Sequence, residues 1–122
     1  MMIDLHTHIL PGIDDGAADL DMSLELARMY VQAGFTYVAA TPHALVGRMP
    51  NGYARLVRKA VADLNTALQQ HAIGLRVLTG MEVTFDPRLP ELVTARHVLP
   101  LAGRNHLLVE TPFGRLPLGW QN

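Results

Sequence analysis

Three residues near the start of the chain lie at alternate positions and could take part in metal binding: Asp4, His6 and His8. Residues 2–5 are typical of a short strand, and alternate side chains of an extended strand point to the same face. The two imidazoles are therefore expected to emerge together where the strand ends. Neutral imidazole is the commonest protein ligand for metals, so the pair could chelate a divalent ion. The alternative is a pair of surface histidines, since so short a motif also occurs by chance.

Four further residues that could bind metal follow or end predicted strands: Asp15, His43, Glu82 and Glu110. The carboxyl ends of strands form the rim on which α/β barrels build their active sites. Each residue also has a simpler interpretation, because an aspartate or histidine can serve a turn and a glutamate can cap a helix. Apolar residues precede both glutamates, however, and carboxylates are rarely buried without a partner or a metal.

The elements that would position these side chains alternate between strand and helix. Asp19 can cap a helix over residues 20–33 that Gly34 ends, and a second helix carries an apolar stripe from Tyr53 to Leu68. Strands are predicted at residues 2–5, 35–40, 75–83 and 106–110, with a short helix at 87–95. This β-α-β-α-β-α-β order predicts an α/β fold with a parallel sheet and outer helices.

Composition excludes several classes of protein. The 122 residues are 49% hydrophobic and 17% charged, which is typical of one globular domain. A net charge of −1 gives no reason to expect nucleic acid as a partner, and no apolar run is long enough for membrane insertion. Without cysteine, neither a thiolate zinc site nor a cysteine nucleophile is possible. We expect a cytoplasmic protein.

A cluster of histidines and carboxylates suits two or three divalent metal ions that share bridging ligands. Such sites lower the pKa of bound water and hold the oxygens of a phosphoryl group. The residues alone therefore predict metal-assisted hydrolysis, most plausibly of a phosphoester. Among the scattered arginines, only Arg48, in the loop beyond His43, is a weak candidate for contact with an anion.

Four motifs then carry a resemblance to a known family. Residues 4–16 have the form DxHxHxLPGxDDG, and the later blocks are ATPH at 40–43, GMEV at 80–83 and LLVETPF at 107–113. The chain resembles the polymerase and histidinol phosphatase (PHP) superfamily. Within it, the long first motif resembles the bacterial manganese-dependent protein-tyrosine phosphatases of capsule and exopolysaccharide loci.

The resemblance implies a distorted TIM-like (β/α) barrel with a trinuclear centre, manganese being the expected metal and zinc or iron the alternatives. It implies that His6 and His8 bind one ion, that Glu82 bridges to a second held by Glu110, and that Asp15 and His43 bind the third. The water nucleophile would be held among His6, His8, Glu82 and Glu110. The implied substrate is the phosphotyrosine-bearing tail of a kinase that controls polysaccharide assembly.

Members of that family run to about twice this length, and their later blocks supply further ligands and substrate-binding arginines. Residues 1–122 are therefore interpreted as a partial PHP domain, the N-terminal half of a barrel, from a truncated product or an incomplete record. Two alternatives stay open. One is a phosphatase of histidinol phosphate or another small molecule. The other is a non-catalytic half barrel that forms homo-oligomers through its open sheet edge.

Overall fold

Strands alternate with helices through the computed structural model, which describes residues 2–110. The helices are α1 (Leu20–Gln32), α2 (Tyr53–Gln70) and α3 (Leu89–Thr94), with a 3-10 turn at Leu101–Gly103. The strands are β1 (Met2–Thr7), β2 (Phe35–Ala40), β3 (His43–Ala44), β4 (Arg76–Leu78), β5 (Glu82–Thr84) and β6 (Leu108–Glu110). The Thr111-Pro112-Phe113 end of the fourth motif lies outside the described residues.

All paired strands are parallel, as the sequence predicts. They form two three-stranded sheets, in the order β1-β2-β4 and β3-β5-β6. The sheets follow one another along the chain, since only Thr41 and Pro42 separate β2 from β3. Backbone hydrogen bonds continue across the gap, from Thr41 N–H to Thr7 O at 2.8 Å and from Glu82 N–H to Pro42 O at 2.9 Å.

The single strand predicted over residues 75–83 is wrong, because the segment is interrupted between β4 and β5. The carbonyl of Thr79 accepts a hydrogen bond from Ala102 N–H at 2.7 Å, so it is turned away from the neighbouring strand. At Gly80 the backbone passes close to β2, and an added Cβ would lie 3.2 Å from Ala40 O. The interruption lets β5 join a different sheet from β4 and places Glu82 at its start.

The helices follow their sequence signals closely. Asp19 caps α1 by accepting from Met22 N–H at 2.9 Å, and Gly34 follows its end with a φ of 95°. Helices α1 and α2 contact each other and pack on β2 and β4, so they cover the same face of the first sheet. None of the described helices combines the length and apolarity needed to cross a membrane.

The buried core lies between the helices and the strands that face them. It includes Ile9, Leu10, Val38, Val57, Leu64, Leu68, Val77, Met81 and Val83. Each such side chain contributes roughly 1.5–3 kcal/mol through removal from water. By contrast, the outer strand β1 leaves Met2, Ile3 and Leu5 about half exposed. The core thus fixes β2, β4 and β5, the strands beside the candidate site.

Candidate metal centre

Glu82 lies at the centre of the candidate site and is only 6% exposed. It is the register partner of His43 on β3, and the His43 Nδ1 atom lies 3.0 Å from its Oε1. Its other carboxylate oxygen contacts His6 Nε2 and lies 3.7 Å from His8 Nε2. A buried carboxylate is therefore surrounded by three imidazoles that the chain brings from two different strand ends.

Strand β1 supplies His6 from an irregular stretch, and His8 follows directly after the strand ends. The pairing register with β2 shifts between Asp4 and Thr7, and such irregularities commonly redirect side chains beside functional sites. The two imidazole rings lie 5.3 Å apart, with both facing Glu82. Asp4 does not join them, because its carboxylate accepts the hydroxyl of Tyr30 at 2.7 Å. Burial, together with the nearby Asp4 charge, raises the pKa of Tyr30.

Asp14 orients two of the histidines without occupying the centre of the site. One carboxylate oxygen lies 2.8 Å from His8 Nδ1 and accepts from His43 N–H at 3.2 Å, and the other accepts from Gly16 N–H at 3.0 Å. When the carboxylate accepts the Nδ1 proton of His8, the Nε2 lone pair is left directed toward Glu82. The His8 ring also stacks on His43, with centroids 4.5 Å apart.

The carboxyl group of Asp14 is held in its charged form. Burial alone would raise its pKa, but the hydrogen bonds from Gly16 N–H, His8 and His43 N–H outweigh burial and lower the pKa. Nearby, burial and the charge of Asp14 raise the pKa of Tyr53, whose hydroxyl donates to His43 O at 2.8 Å. Tyr53 therefore stays a neutral donor that fixes the backbone of His43.

The remaining two predicted ligands lie at the periphery. The Asp15 side chain is 80% exposed, and its Oδ1 lies 3.3 Å from His43 Nε2. Glu110 is exposed at the end of β6, where its register partner is Thr84. Ligand atoms come within 4.8 Å of one another in three groups: His6-His8-Glu82, His8-Asp14-Asp15-His43 and His43-Glu82-Glu110. All six residues predicted as ligands thus belong to one continuous cluster.

The chemistry of these donors fits divalent metal ions. They are imidazole nitrogens and carboxylate oxygens, which suit manganese, zinc or iron, and the three groups share His8, His43 and Glu82. No arginine or lysine lies within 4.0 Å of Glu82 in the part of the chain that the structure describes. A buried carboxylate that relies on imidazole neighbours alone is well placed to bind a cation.

A family of known proteins matches nearly the whole chain. The family model for capsular polysaccharide synthesis proteins, CpsB/CapC, matches residues 2–115. The chain belongs to the CpsB/CapC family. It is 40% identical over 116 residues to the tyrosine-protein phosphatase YwqE of Bacillus subtilis, and 27% identical over 116 residues to the putative tyrosine-protein phosphatase CapC of Staphylococcus aureus.

The structural comparison confirms the predicted α/β class. A chain from the crystal structures of YwqE from B. subtilis and CpsB from Streptococcus pneumoniae, described as unique metal-dependent tyrosine phosphatases, superposes with a TM-score of 0.86 at 37% identity. The match covers 96% of this chain and 47% of that one. Against YwqE and CapC the chain spans 45% of each relative's length. The predicted partial barrel agrees with this coverage.

The sequence did not predict that Asp14 orients His8 and His43. Two adjacent aspartates before a glycine are ordinary turn residues, and the sequence predicts only the second, Asp15, as a metal ligand. The structure gives them different surroundings, with Asp14 bonded to His8 and His43 and Asp15 open to solvent. One feature of this CpsB/CapC sequence could have indicated a role for Asp14. Two acidic residues follow the histidine pair, although a turn needs only one.

We expect Asp14→Asn to weaken metal binding about 10- to 100-fold, the usual cost of losing a group that orients a ligand. An amide replaces one of the two accepting oxygens with a donor, so either Gly16 N–H or the His8 and His43 donors lose their partner. Calorimetric titration with Mn²⁺ measures the change, with Asp21→Asn on the exposed surface of α1 as the control. Unchanged affinity in D14N would show that Asp14 does not orient His8.

Proposed function

We propose that this chain supplies the metal-binding half of a phosphotyrosine phosphatase that hydrolyses phosphoesters with the help of divalent ions. The observation that carries the proposal is the buried Glu82 carboxylate surrounded by His6, His8 and His43. Support comes from YwqE, a tyrosine phosphatase that is 40% identical over 116 residues. Because the chain spans 45% of that relative's length, the phosphatase activity of this chain is itself a proposal.

His6, His8 and Glu82 would hold one ion, Glu82 and Glu110 would hold a second, and Asp15 and His43 would hold a third. Bound divalent ions would supply Lewis acidity toward phosphoryl oxygens and make water a stronger nucleophile near neutral pH. The protein's own contribution is orientation, since Asp14 keeps a proton on His8 Nδ1 and Tyr53 fixes the backbone of His43.

Manganese is the metal we propose, because the resemblance to manganese-dependent phosphatases implies it and a set of imidazoles and carboxylates without thiolate accepts it. Zinc and iron accept the same donors, so the choice among them depends on geometry and supply. The trinuclear arrangement rests on the three overlapping groups of ligand atoms. Metal analysis of the purified protein, by mass spectrometry of the bound ions, tests both the identity and the number.

The proposed substrate is a phosphotyrosine in the tail of a kinase that controls polysaccharide assembly. Support comes from the family's place in capsular polysaccharide synthesis and from two relatives named as tyrosine-protein phosphatases, one of them provisionally. The cytoplasmic location stays a prediction. So does association through the outer strand β1, where Met2, Ile3 and Leu5 are exposed.

The test is hydrolysis of a phosphotyrosine peptide by the whole chain, with Mn²⁺ added to metal-free protein. We expect feeble turnover that depends on the added ion and is lost in His8→Ala, because His8 belongs to two of the three ligand groups. The matched control is His71→Ala, since His71 lies at the end of α2 outside all three groups. Histidinol phosphate serves as the competing substrate.

Three outcomes would overturn parts of the proposal. Turnover of the peptide without added metal after chelation would exclude the metal-dependent mechanism. Faster turnover of histidinol phosphate than of the peptide would favour the small-molecule alternative. Metal binding that persists unchanged in H8A would show that the ions bind elsewhere.

A further inference from the structure

A cleft of about 680 Å³ lies beside the metal centre, between the start of α2 and the end of α3. Four of the chain's ten lysine and arginine residues line it. We call it the arginine cleft and define it by Arg55, Arg58, Arg88 and Arg96. The sequence shows these arginines as scattered, and Arg48, the one singled out there, does not line the cleft. The fold brings together two cations from α2 and two from the residues that flank α3.

The charge of the arginine cleft is poorly compensated. Its lining contains no aspartate or glutamate among the residues that the structure describes, although the whole chain carries a net charge of −1. Arg88 is paired with Asp86, with Nε 3.0 Å from Oδ1. No carboxylate between residues 2 and 110 lies within 4.0 Å of the other three arginines.

The two arginines on α2 also repel each other. Arg55 and Arg58 are three positions apart, which places them on neighbouring parts of one helix face, where like charges destabilise the helix. Arg96 lies across the cleft, just beyond the end of α3. Cations that converge on one cavity from both sides are stabilised when an anion binds between them.

Apart from the arginines, the lining is mostly apolar or aromatic, with Asn51 and His97 as its other polar members. Val46, Met49 and Leu92 are partly buried against the core, and the ring of Tyr53 is half-buried beside them. The volume far exceeds the roughly 30 Å³ that one water molecule occupies in the liquid. A cleft of this size and composition suits a polypeptide segment with anionic side chains better than a single small anion.

The arginine cleft is connected to the metal centre through His43. Val46, in its lining, is three residues beyond His43, so the two Cα atoms are at most about 11 Å apart. Tyr53 also lines the cleft, and its hydroxyl donates to His43 O at 2.8 Å. A substrate with its phosphate at the centre would reach the cleft within three or four extended residues.

We propose that the arginine cleft binds anionic side chains that flank the phosphotyrosine in a polypeptide substrate, and so selects among substrates. The proposal rests on the proposed function for the identity of the substrate, but the binding itself needs no metal. In metal-free protein the candidate metal centre carries carboxylates, which repel anions. An acidic peptide should therefore bind at the arginine cleft without turnover.

The experiment measures binding of three labelled peptides to metal-free protein by fluorescence anisotropy. Each has a central tyrosine, which is flanked by glutamates in the first peptide, by a phosphotyrosine in the second and by glutamines in the third. We expect both anionic peptides to bind at least about tenfold more tightly than the neutral peptide, as several exposed charge pairs would give. The difference should shrink at high salt, which screens exposed charges.

The double variant Arg55→Gln, Arg58→Gln should lose this preference. Its control is Arg28→Gln, Arg104→Gln, which removes the same charge from exposed arginines outside the cleft. If the first variant unfolds, Arg96→Gln on the opposite wall tests the same cleft. Equal binding of all three peptides by the wild-type protein, or an undiminished preference in R55Q/R58Q and R96Q, would overturn the proposal. Because no metal or turnover is involved, failure here would leave the proposed phosphatase function standing, and failure of the phosphatase test would leave the measured peptide preference unchanged.

Discussion

Replacing Glu82 by glutamine should abolish most of the metal affinity of the protein while leaving its fold intact. Glu82 belongs to two of the three groups of ligand atoms and contacts His6, His8 and His43. Glutamine has nearly the same shape, so the buried position stays filled. It lacks the negative charge that a divalent ion requires, and its amide nitrogen is no substitute for a carboxylate oxygen.

The expected loss exceeds the roughly 10- to 100-fold that follows removal of a group outside the ligand shell. The loss of affinity should also reduce the stabilisation of the folded state by bound metal. A ligand at 100 times its dissociation constant stabilises the folded state by about 2.7 kcal/mol, and E82Q should lose most of that increment. Thermal melts with and without Mn²⁺ measure the effect, together with calorimetric titration.

Glu25→Gln is the matched control for this substitution. Glu25 is exposed on α1 and belongs to none of the three ligand groups, so its replacement should preserve both the affinity and the metal-induced rise in melting temperature. If E82Q bound Mn²⁺ as tightly as E25Q, the centre of the site would have to lie elsewhere.

Much of the fold could be predicted because local signals and long-range packing agree. The cap at Asp19 and the glycine at 34 bound α1, and the apolar stripe of α2 faces the strands on which it packs. The interruption between β4 and β5 could not be predicted. It depends on the carbonyl of Thr79 bonding to Ala102, a partner more than twenty positions away. Thr79 and Gly80, in the middle of residues 75–83, do not by themselves specify such a contact.

The candidate site likewise combines features that the sequence predicts with features that depend on tertiary packing. The convergence of His43 and Glu82 follows from parallel pairing, which sets the first residue of β3 beside the first residue of β5 in register. The separate surroundings of Asp14 and Asp15 depend on how the loop folds back over His8, which residue types alone do not specify. The arginine cleft is likewise a product of packing, because Arg55 and Arg96 are far apart in the chain and meet only across the gap between α2 and α3.

Substituting Gly16 by alanine tests how closely that loop controls the histidines. The loop turns back so that Ala17 N–H donates to His8 O at 3.0 Å, and the backbone of Gly16 lies against His8. A methyl group on Gly16 would collide with the carbonyl and Cβ of His8. These are backbone and near-backbone atoms that cannot rotate away, so either the loop or His8 must move.

We expect G16A to lower the free energy of unfolding by about 1–3 kcal/mol, the usual cost of forcing an extra carbon into a packed position. Metal affinity should fall as well, because the displaced loop carries Asp14 and Asp15 and the displaced strand end carries His8. Urea denaturation and Mn²⁺ titration measure the two effects. Gly74→Ala is the control, since a Cβ there meets no heavy atom within 4 Å and its backbone needs no left-handed conformation. A G16A protein that matched G74A in both measurements would show that the loop can retreat from His8 without cost, and that the close approach does not position the site.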